Sequence, residues 1–169
     1  YSWNGAASCA PHGAPGGFGR RIQVGDVIIN MQCLRFNGMA VENERTWIVG
    51  APASPLVARA FEVAAEATRA AVEKAVTGNT VADIDAAAQK VIEDAGFGDN
   101  IIHRTGHGLG IAGHEFPADM PFECRPLETN EVYSVEPGIY IYGVGGFRHD
   151  DTVIIKPGRP EVVTTTPTG

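Results

Sequence analysis

Hydrophobic and polar residues follow two different periods along the first half of the chain. Apolar and β-branched residues around a polar centre predict strands at about 26–33 and 38–49, paired as a hairpin. Between 54 and 76 the apolar residues recur instead with the period of a helix. Ser54 is suited to cap the start of this helix, and Pro55 to be its first residue.

A second helix and a β-rich remainder are predicted next. Thr80 and Asp83 resemble a capping box at the start of this helix, and Gly96 is a stop signal at its end. Residues 130–143 and 145–156 predict strands split by the turn GVGG, and the tail predicts one last strand. The order ββααβββ indicates a mixed α+β fold rather than alternating βαβ units.

Composition narrows the class of protein. The length of 169 residues suits one domain, 1–169, with 44% hydrophobic residues for a core. A net charge of −7 argues against a nucleic-acid partner, and no apolar run is long enough for a membrane span. The separated cysteines Cys9, Cys33 and Cys124 fit neither a disulfide framework nor a zinc ribbon, so we expect a cytoplasmic setting. The Gly- and Pro-rich opening begins with Tyr1, so we expect a chain truncated at its N-terminus.

Three of the five histidines, His103, His107 and His114, lie close together in a glycine-rich stretch. Glycines on both sides of His107 allow tight turns and close approach of other groups. Neutral imidazole is the commonest metal ligand and a frequent proton shuttle, so His107 is the strongest functional candidate. His114 is an odd number of residues away, so on a straight strand it would point to the other face.

Acidic residues stand at several predicted strands. Glu136 lies among apolar residues, and a buried carboxylate costs several kcal/mol unless it is paired or bound to a metal. Arg148 and Asp150 share one strand face, and Glu42 and Glu44 share another. Each of these faces could simply be solvated. Together with His107, however, acids on separate strands are what a metal site or an acid–base pocket requires.

The stretches TGHGLGIAGHEFP, VYSVEPGIYI and GGFRHDDTVII resemble the pita-bread superfamily of Xaa-Pro dipeptidases, aminopeptidases P, methionine aminopeptidases and creatinase. This resemblance covers nearly the whole chain. It implies an α+β fold in which helices cover a curved, mostly antiparallel sheet, and a catalytic domain that normally begins ahead of Tyr1. It also implies a homodimer as the intact protein, acting on a small peptide or on an amide or amidine.

Metallopeptidases of this superfamily hold two divalent ions, such as manganese, cobalt or zinc, with two Asp, one His and two Glu. The resemblance carries these positions, in chain order, onto Asn30, Glu42, His107, Glu136 and Asp150. Asn30 offers only a neutral oxygen at a lost ligand position. Exchanging Asp and Glu moves an oxygen by a C–C bond, whereas metal–ligand distances tolerate about 0.2 Å. The altered set therefore predicts one ion rather than two.

Creatinase, the member that works without a metal, gives a second interpretation. The predicted hairpin resembles that of creatinase in two positions of this sequence. One is the asparagine at Asn30, and the other is Glu44, directly before the dipeptide RT. On that match His12 would be the general acid/base, Glu44 and Glu136 would bind a guanidinium-like group, and His107 would line the pocket. The arginine that holds the carboxylate of creatine would fall near Ala118, so creatine itself is not expected as the substrate.

Three hypotheses remain open. The first is a metallopeptidase cleaving next to proline, in which Glu136 acts on the attacking water, His114 stabilises the tetrahedral intermediate and His12 contacts the substrate. The second is a metal-independent hydrolase of an amidine or amide. The third is a binding module that kept the fold and lost the chemistry. Asn30 weighs against the first, and the retained histidines and Glu44 weigh against the third.

Overall fold

The computed structural model describes residues 2–4, 21–117 and 120–168. Within these residues, three strands precede two helices, and six further strands follow the helices. Short 3₁₀ turns lie at Gly98–Asn100 and Met120–Phe122. The elements are β1 Ser2–Asn4, β2 Val27–Phe36, β3 Met39–Ile48, α1 Pro55–Lys74, α2 Val81–Asp94, β4 Gly106–Gly108, β5 Val132–Val135, β6 Gly138–Ile141, β7 Gly145–Arg148, β8 Asp150–Ile154 and β9 Glu161–Val162.

The strands form one large sheet and one two-stranded ribbon. The sheet has the order β1-β2-β3-β8-β5-β4, with β9 paired to β8, and β6 pairs with β7 in the ribbon. Every pairing between the described strands is antiparallel. The predicted α+β class is confirmed. Among the described residues, no helix combines the length and the apolar character that crossing a membrane requires.

The predicted hairpin and both helix starts are confirmed. The Val57 amide donates to the Ser54 hydroxyl at the start of α1. At the start of α2, Thr80 and Asp83 form both hydrogen bonds of a capping box. Gly96 has a φ of +84° after the end of α2, a conformation that favours glycine.

Each stretch predicted as a strand in the second half forms two strands; the break that Pro137 and Gly138 predict in the first is confirmed, and the unbroken second strand is wrong. The first breaks at Glu136 and Pro137, which leaves Glu136 between β5 and β6 rather than inside a strand. Proline lacks the amide that a ladder needs and restricts the residue before it, which explains the break. The second breaks at His149, where the chain passes from the ribbon into the main sheet.

The sheet has one apolar and one polar face. Tyr133, Val135 and Val153 belong to the same buried cluster as residues of α1 and α2 such as Ala64 and Ile84. Successive side chains of a strand point to opposite faces, so the residues between these face away from the helices. The helices therefore leave the second face of the central strands free for polar residues.

Two buried threonines fix the polar face. The Thr152 hydroxyl accepts from the Glu42 amide and donates to the Glu42 carbonyl, at 3.0 and 2.8 Å. The Thr46 hydroxyl makes the same pair of bonds with the backbone of Arg148, at 2.8 and 2.9 Å. Each threonine thus holds the backbone that carries a charged side chain.

We expect Thr152→Val to lower the free energy of unfolding by roughly 1–3 kcal/mol, because it keeps the shape but leaves two buried backbone groups without their partner. Urea denaturation followed by circular dichroism measures this difference. Thr77→Val is the control, because the Thr77 hydroxyl is exposed and contacts only that of Thr129. Equal effects of the two substitutions would contradict the assigned role of Thr152.

Candidate functional site

The polar face gathers four carboxylates and two histidines. Residues paired across an antiparallel ladder share a face, which brings β3, β8, β5 and β4 side chains together. Glu44 stands opposite Asp150, His107 opposite Ser134, and Ser134 opposite Thr152. The titratable members of the site are Glu42, Glu44, His107, His114, Glu136 and Asp150. Four of them, Glu42, Glu44, His107 and Asp150, are buried.

His107 lies at the centre of the site. Its Nε2 is 3.3 Å from Oε2 of Glu42 and 3.4 Å from Oε1 of Glu136. Burial alone would lower the pKa of His107, but its hydrogen bonds with Glu136 and Glu42 outweigh burial and raise it to about 10. Donor atoms about 2.1 Å from one ion are separated by roughly 3.0–3.4 Å. Each of the two carboxylate oxygens is therefore separated from Nε2 as two ligands of one cation would be.

The loop after β4 brings His114 back onto His107. The Glu115 amide donates to the Gly108 carbonyl, and the Gly108 amide donates to the Pro117 carbonyl. A Cβ at position 108 would lie 3.0 Å from the Glu115 and Phe116 carbonyl oxygens, so any other residue would require this backbone to shift. The two imidazole rings stack with their centroids 3.8 Å apart. The bend overcomes the odd spacing and leaves His114 exposed beside the buried His107.

Arg148 crosses to Glu44 within the same face. Its Nη2 donates to Oε1 of Glu44 at 2.6 Å, and its Nε contacts the other carboxylate oxygen. Its Nη1 donates to the Tyr140 hydroxyl at 3.1 Å and lies 3.9 Å from Oε2 of Glu136. His103 Nε2 lies 2.7 Å from the same hydroxyl. The alternative of solvated charged faces is wrong here, since Arg148 and Glu44 are each only 1% exposed.

Asp150 is the most enclosed carboxylate of the site. The Ser134 hydroxyl donates to it at 3.1 Å. Burial, together with the charges of Glu136, Glu44 and Glu42, raises the pKa of Asp150 well above its usual range. Burial also raises the pKa of Glu44 to about 7, against the opposing pull of Arg148. Both shifts favour the protonated, uncharged form of these two carboxyl groups.

Two groups of three ligand atoms can be separated within the site. Glu42, His107 and His114 form one group, and Glu44, Glu136 and Asp150 form the other, with the atoms of each group within 4.8 Å of one another. Glu136 contacts both His107 and Arg148, so it lies between the groups. The predicted metal ligands Glu42, His107, Glu136 and Asp150 are thus drawn from both groups. Oxygen and imidazole donors of this kind suit manganese, cobalt or zinc.

The register of the hairpin corrects the assignment of Asn30 to the lost ligand position. Asn30 stands opposite Arg45, on the face away from the site, and Met31 stands opposite Glu44. Cys33 follows on the site face, with its Sγ 3.6 Å from Oε1 of Glu42. An offset of one residue along a strand moves a side chain to the other face of the sheet. Matching the sequence to the family motif without the strand register therefore placed the lost ligand position one residue too early. The uncharged side chain beside the carboxylates is therefore the thioether of Met31.

Some residues of the site carried no clear signal in the sequence. Asp85 of α2 is buried, and its Oδ1 accepts from the Thr105 amide at 2.8 Å, two residues before His107. Tyr140 and Ser134 were also missed, although Ser134 alternates with the apolar residues of its strand. His12 and Ala118 lie outside the described residues, so the roles predicted for them stay predictions.

Comparisons with known proteins agree on one family. Residues 1–157 match metallopeptidase family M24. The Xaa-Pro dipeptidase of Pyrococcus furiosus is 34% identical over 163 residues, which are 96% of this chain and 46% of the dipeptidase. The solved structure of the Xaa-Pro dipeptidase from Bacillus anthracis is 32% identical and matches 99% of this chain and 46% of its own, with a TM-score of 0.93. The X-Pro aminopeptidase from Thermotoga maritima is also 32% identical and matches 99% of this chain and 47% of its own, with a TM-score of 0.92. These matches confirm the predicted pita-bread fold. The chain spans about half the length of these relatives.

In metal-free protein, we expect the stabilising contribution of His107 to be full below about pH 6.5 and to be lost as the pH rises through about 10. Stability falls with rising pH because the pKa of His107 is higher in the folded state than in the unfolded chain. The extra stability of wild type over His107→Asn, from urea denaturation in a chelator, should therefore shrink across this window.

His114→Asn is the matched control. Burial and the neighbouring charge of His107 lower the pKa of His114, so it is already neutral in this window. The free energy of unfolding of His114→Asn should therefore change with pH as that of wild type does. A gap between wild type and His107→Asn that stays constant with pH would refute the charged pairing of His107.

Proposed function

Because the chain belongs to metallopeptidase family M24, we propose that it hydrolyses a C–N bond of a small peptide as an Xaa-Pro dipeptidase or aminopeptidase does, at a centre with one divalent ion instead of two. The observation that carries this proposal is the approach of Glu42 and Glu136 to one nitrogen of His107. Similarity to enzymes named Xaa-Pro dipeptidases supports the substrate class. A cytoplasmic setting and a homodimer belong to the same proposal.

Glu42, His107 and Glu136 would hold the ion, with Asp150 as a further carboxylate from β8. Bound there, a divalent ion would supply Lewis acidity toward the scissile carbonyl. The protein contributes a rigid frame, because β3, β4 and β8 are linked to one another through paired strands. Thr152 fixes the backbone of Glu42, and Asp85 fixes the segment leading to His107.

Glu136 and His114 would handle protons around the scissile bond. Burial raises the pKa of Glu136, but the hydrogen bond with His107 and the charge of Arg148 outweigh it and lower the pKa, so the carboxylate is ionised. An ionised carboxylate can accept a proton from the attacking water. His114 is exposed beside His107, where its N–H can donate to the oxygen that becomes negative in the tetrahedral intermediate.

Met31 favours a second candidate, the metal-independent hydrolase of an amidine or amide. A thioether opposite Glu44 supplies no charge to a second ion. In this alternative Glu44 and Glu136 would bind a guanidinium-like substrate, and His12 would be the acid/base. Arg148 already contacts Glu44, so such a substrate would have to displace it, and we therefore favour the first candidate. A binding module without chemistry is disfavoured, because burying this many carboxylates is costly for a scaffold.

We expect the intact protein, dialysed against a weak chelator and then against Mn²⁺, Co²⁺ or Zn²⁺, to retain about one ion per chain and to cleave an Xaa-Pro dipeptide. Glu136→Gln and His107→Ala should lose the ion and lower kcat/KM by at least about 100-fold, because each removes a ligand. Native mass spectrometry measures the ion, and release of proline measures the activity.

Glu128→Gln is the control, since Glu128 is an exposed glutamate outside the site and should change neither quantity. Absence of bound metal with each of the three ions, together with hydrolysis of an amidine or amide, would replace the peptidase by the metal-independent candidate. Absence of turnover on every peptide, amide and amidine, with metal bound, would leave the binding module.

A further inference from the structure

We propose that Arg45 is a positioning residue of the site, because its guanidinium joins the backbones of Glu44 and Asp150. The segment 164–166 holds that guanidinium in place. Arg45 stands opposite Asn30, on the face of the sheet away from the carboxylates, so it acts through the backbone and not as a ligand. The inference rests on the proposed function for what the carboxylates bind, whereas their positioning is independent of it.

The two halves of the site meet at a short junction between β3 and β8. Within the described residues, β3 has ten residues but forms two pairs with β8. These pairs are Asn43 with Asp151 and Glu44 with Asp150. The hairpin of β2 and β3 lies on one side of this junction, and β8, β5 and β4 lie on the other. The spacing between the carboxylates of β3 and those of the remaining strands therefore depends on a short ladder.

Threonines hold the two ends of this junction. The Thr152 hydroxyl bonds both backbone groups of Glu42, and the Thr46 hydroxyl bonds both backbone groups of Arg148. These contacts continue the register of the two strands on either side of the ladder. Side chains thus link the backbones where the ladder itself ends.

Arg45 links the backbones at the centre of the junction. Its Nη1 donates to the Glu44 carbonyl and to the Asp150 carbonyl, both at 2.7 Å. Because one nitrogen bonds two carbonyls on opposite strands, it fixes the distance between the backbones that carry these two side chains. Both carboxylates project from these residues to the other face of the sheet, so their separation is set from behind.

The guanidinium is held in turn by Asp151 and by the segment 164–166. Its Nη2 donates to Oδ1 of Asp151 at 2.6 Å, and the Thr164 hydroxyl donates to the same oxygen at 2.6 Å. Its Nε donates to the Thr166 carbonyl at 2.8 Å, 121 positions further along the chain. Arg45 is 3% exposed, and charge-assisted bonds sheltered from water are strong. The segment 164–166 therefore reaches the site through one side chain.

The test compares Arg45→Lys with wild type. Lysine keeps the positive charge beside Asp151, but its three donors cannot serve the four oxygen atoms that the guanidinium bonds. We expect Arg45→Lys to fold and to bind Mn²⁺ roughly 10–100-fold more weakly, as is typical when the groups that orient metal ligands are changed. Isothermal titration calorimetry measures the affinity.

Amide hydrogen exchange in a chelator tests the positioning without any metal. The Glu42 and Arg148 amides donate to the threonine hydroxyls at the two ends of the junction. In Arg45→Lys both amides should lose protection by a larger factor than the amides of α2, because the junction opens locally. Exchange followed by NMR resolves each amide.

Thr164→Val tests the contribution of the segment 164–166. It removes the bond to Asp151 and leaves Arg45 intact, so both readouts should shift in the same direction by a smaller factor. Combined with Arg45→Lys it should add less than it does in wild type, because residues of one hydrogen-bond network are not additive.

Val63→Ala is the control for lost stability alone. Val63 is fully buried in the apolar cluster that includes α1, and shortening it leaves a cavity there. We expect a lower Tm by circular dichroism, with the Mn²⁺ affinity of wild type and with no selective loss of protection at the Glu42 and Arg148 amides.

The proposal is overturned if Arg45→Lys binds Mn²⁺ as tightly as wild type does, if the two amides keep their protection, or if Val63→Ala weakens Mn²⁺ binding equally. Wild type that binds no Mn²⁺ would refute the proposed single-ion centre, whereas hydrogen exchange would still decide the role of Arg45. If Arg45→Lys does not fold, Thr164→Val decides the proposal by the same two measurements.

Discussion

The balance of buried charge governs this structure. Four carboxylates approach one another on a single face of the sheet, and burial makes their mutual repulsion strong. This repulsion is reduced by the guanidinium of Arg148, which contacts Glu44, and by the imidazole of His107, which faces Glu42 and Glu136. Two threonines of this face support these contacts, because they hold the backbones of Glu42 and Arg148.

Local signals in the sequence predicted the elements well. The caps at Ser54 and Thr80 and the stop at Gly96 depend on residues within one turn of a helix, so they can be read without knowing the fold. The glycines around His107 likewise indicated a close approach, and the loop carrying His114 makes it. Glu136 was correctly singled out as a carboxylate among apolar residues, although it lies between two strands.

Pairing between segments that are distant in the sequence could not be predicted from local signals. The register of β2 against β3 decides that Met31 rather than Asn30 faces the site, and a shift of one residue reverses that answer. The contact of Arg148 with Glu44 joins residues that are 104 positions apart, and no short sequence pattern predicts it. The resemblance to a family gave the correct fold, but the role of each position within a strand needed the geometry.

Asp85 ties the helical layer to the polar face. Its carboxylate accepts from the Thr105 amide, and Gln89, one turn further along α2, donates to its other oxygen. The segment that carries His107 is therefore positioned by α2 as well as by its neighbouring strand. The imidazole at the centre of the candidate site is thus supported from the far side of the sheet, so we expect substitutions among the buried residues of α2 to affect its position although none of them faces it.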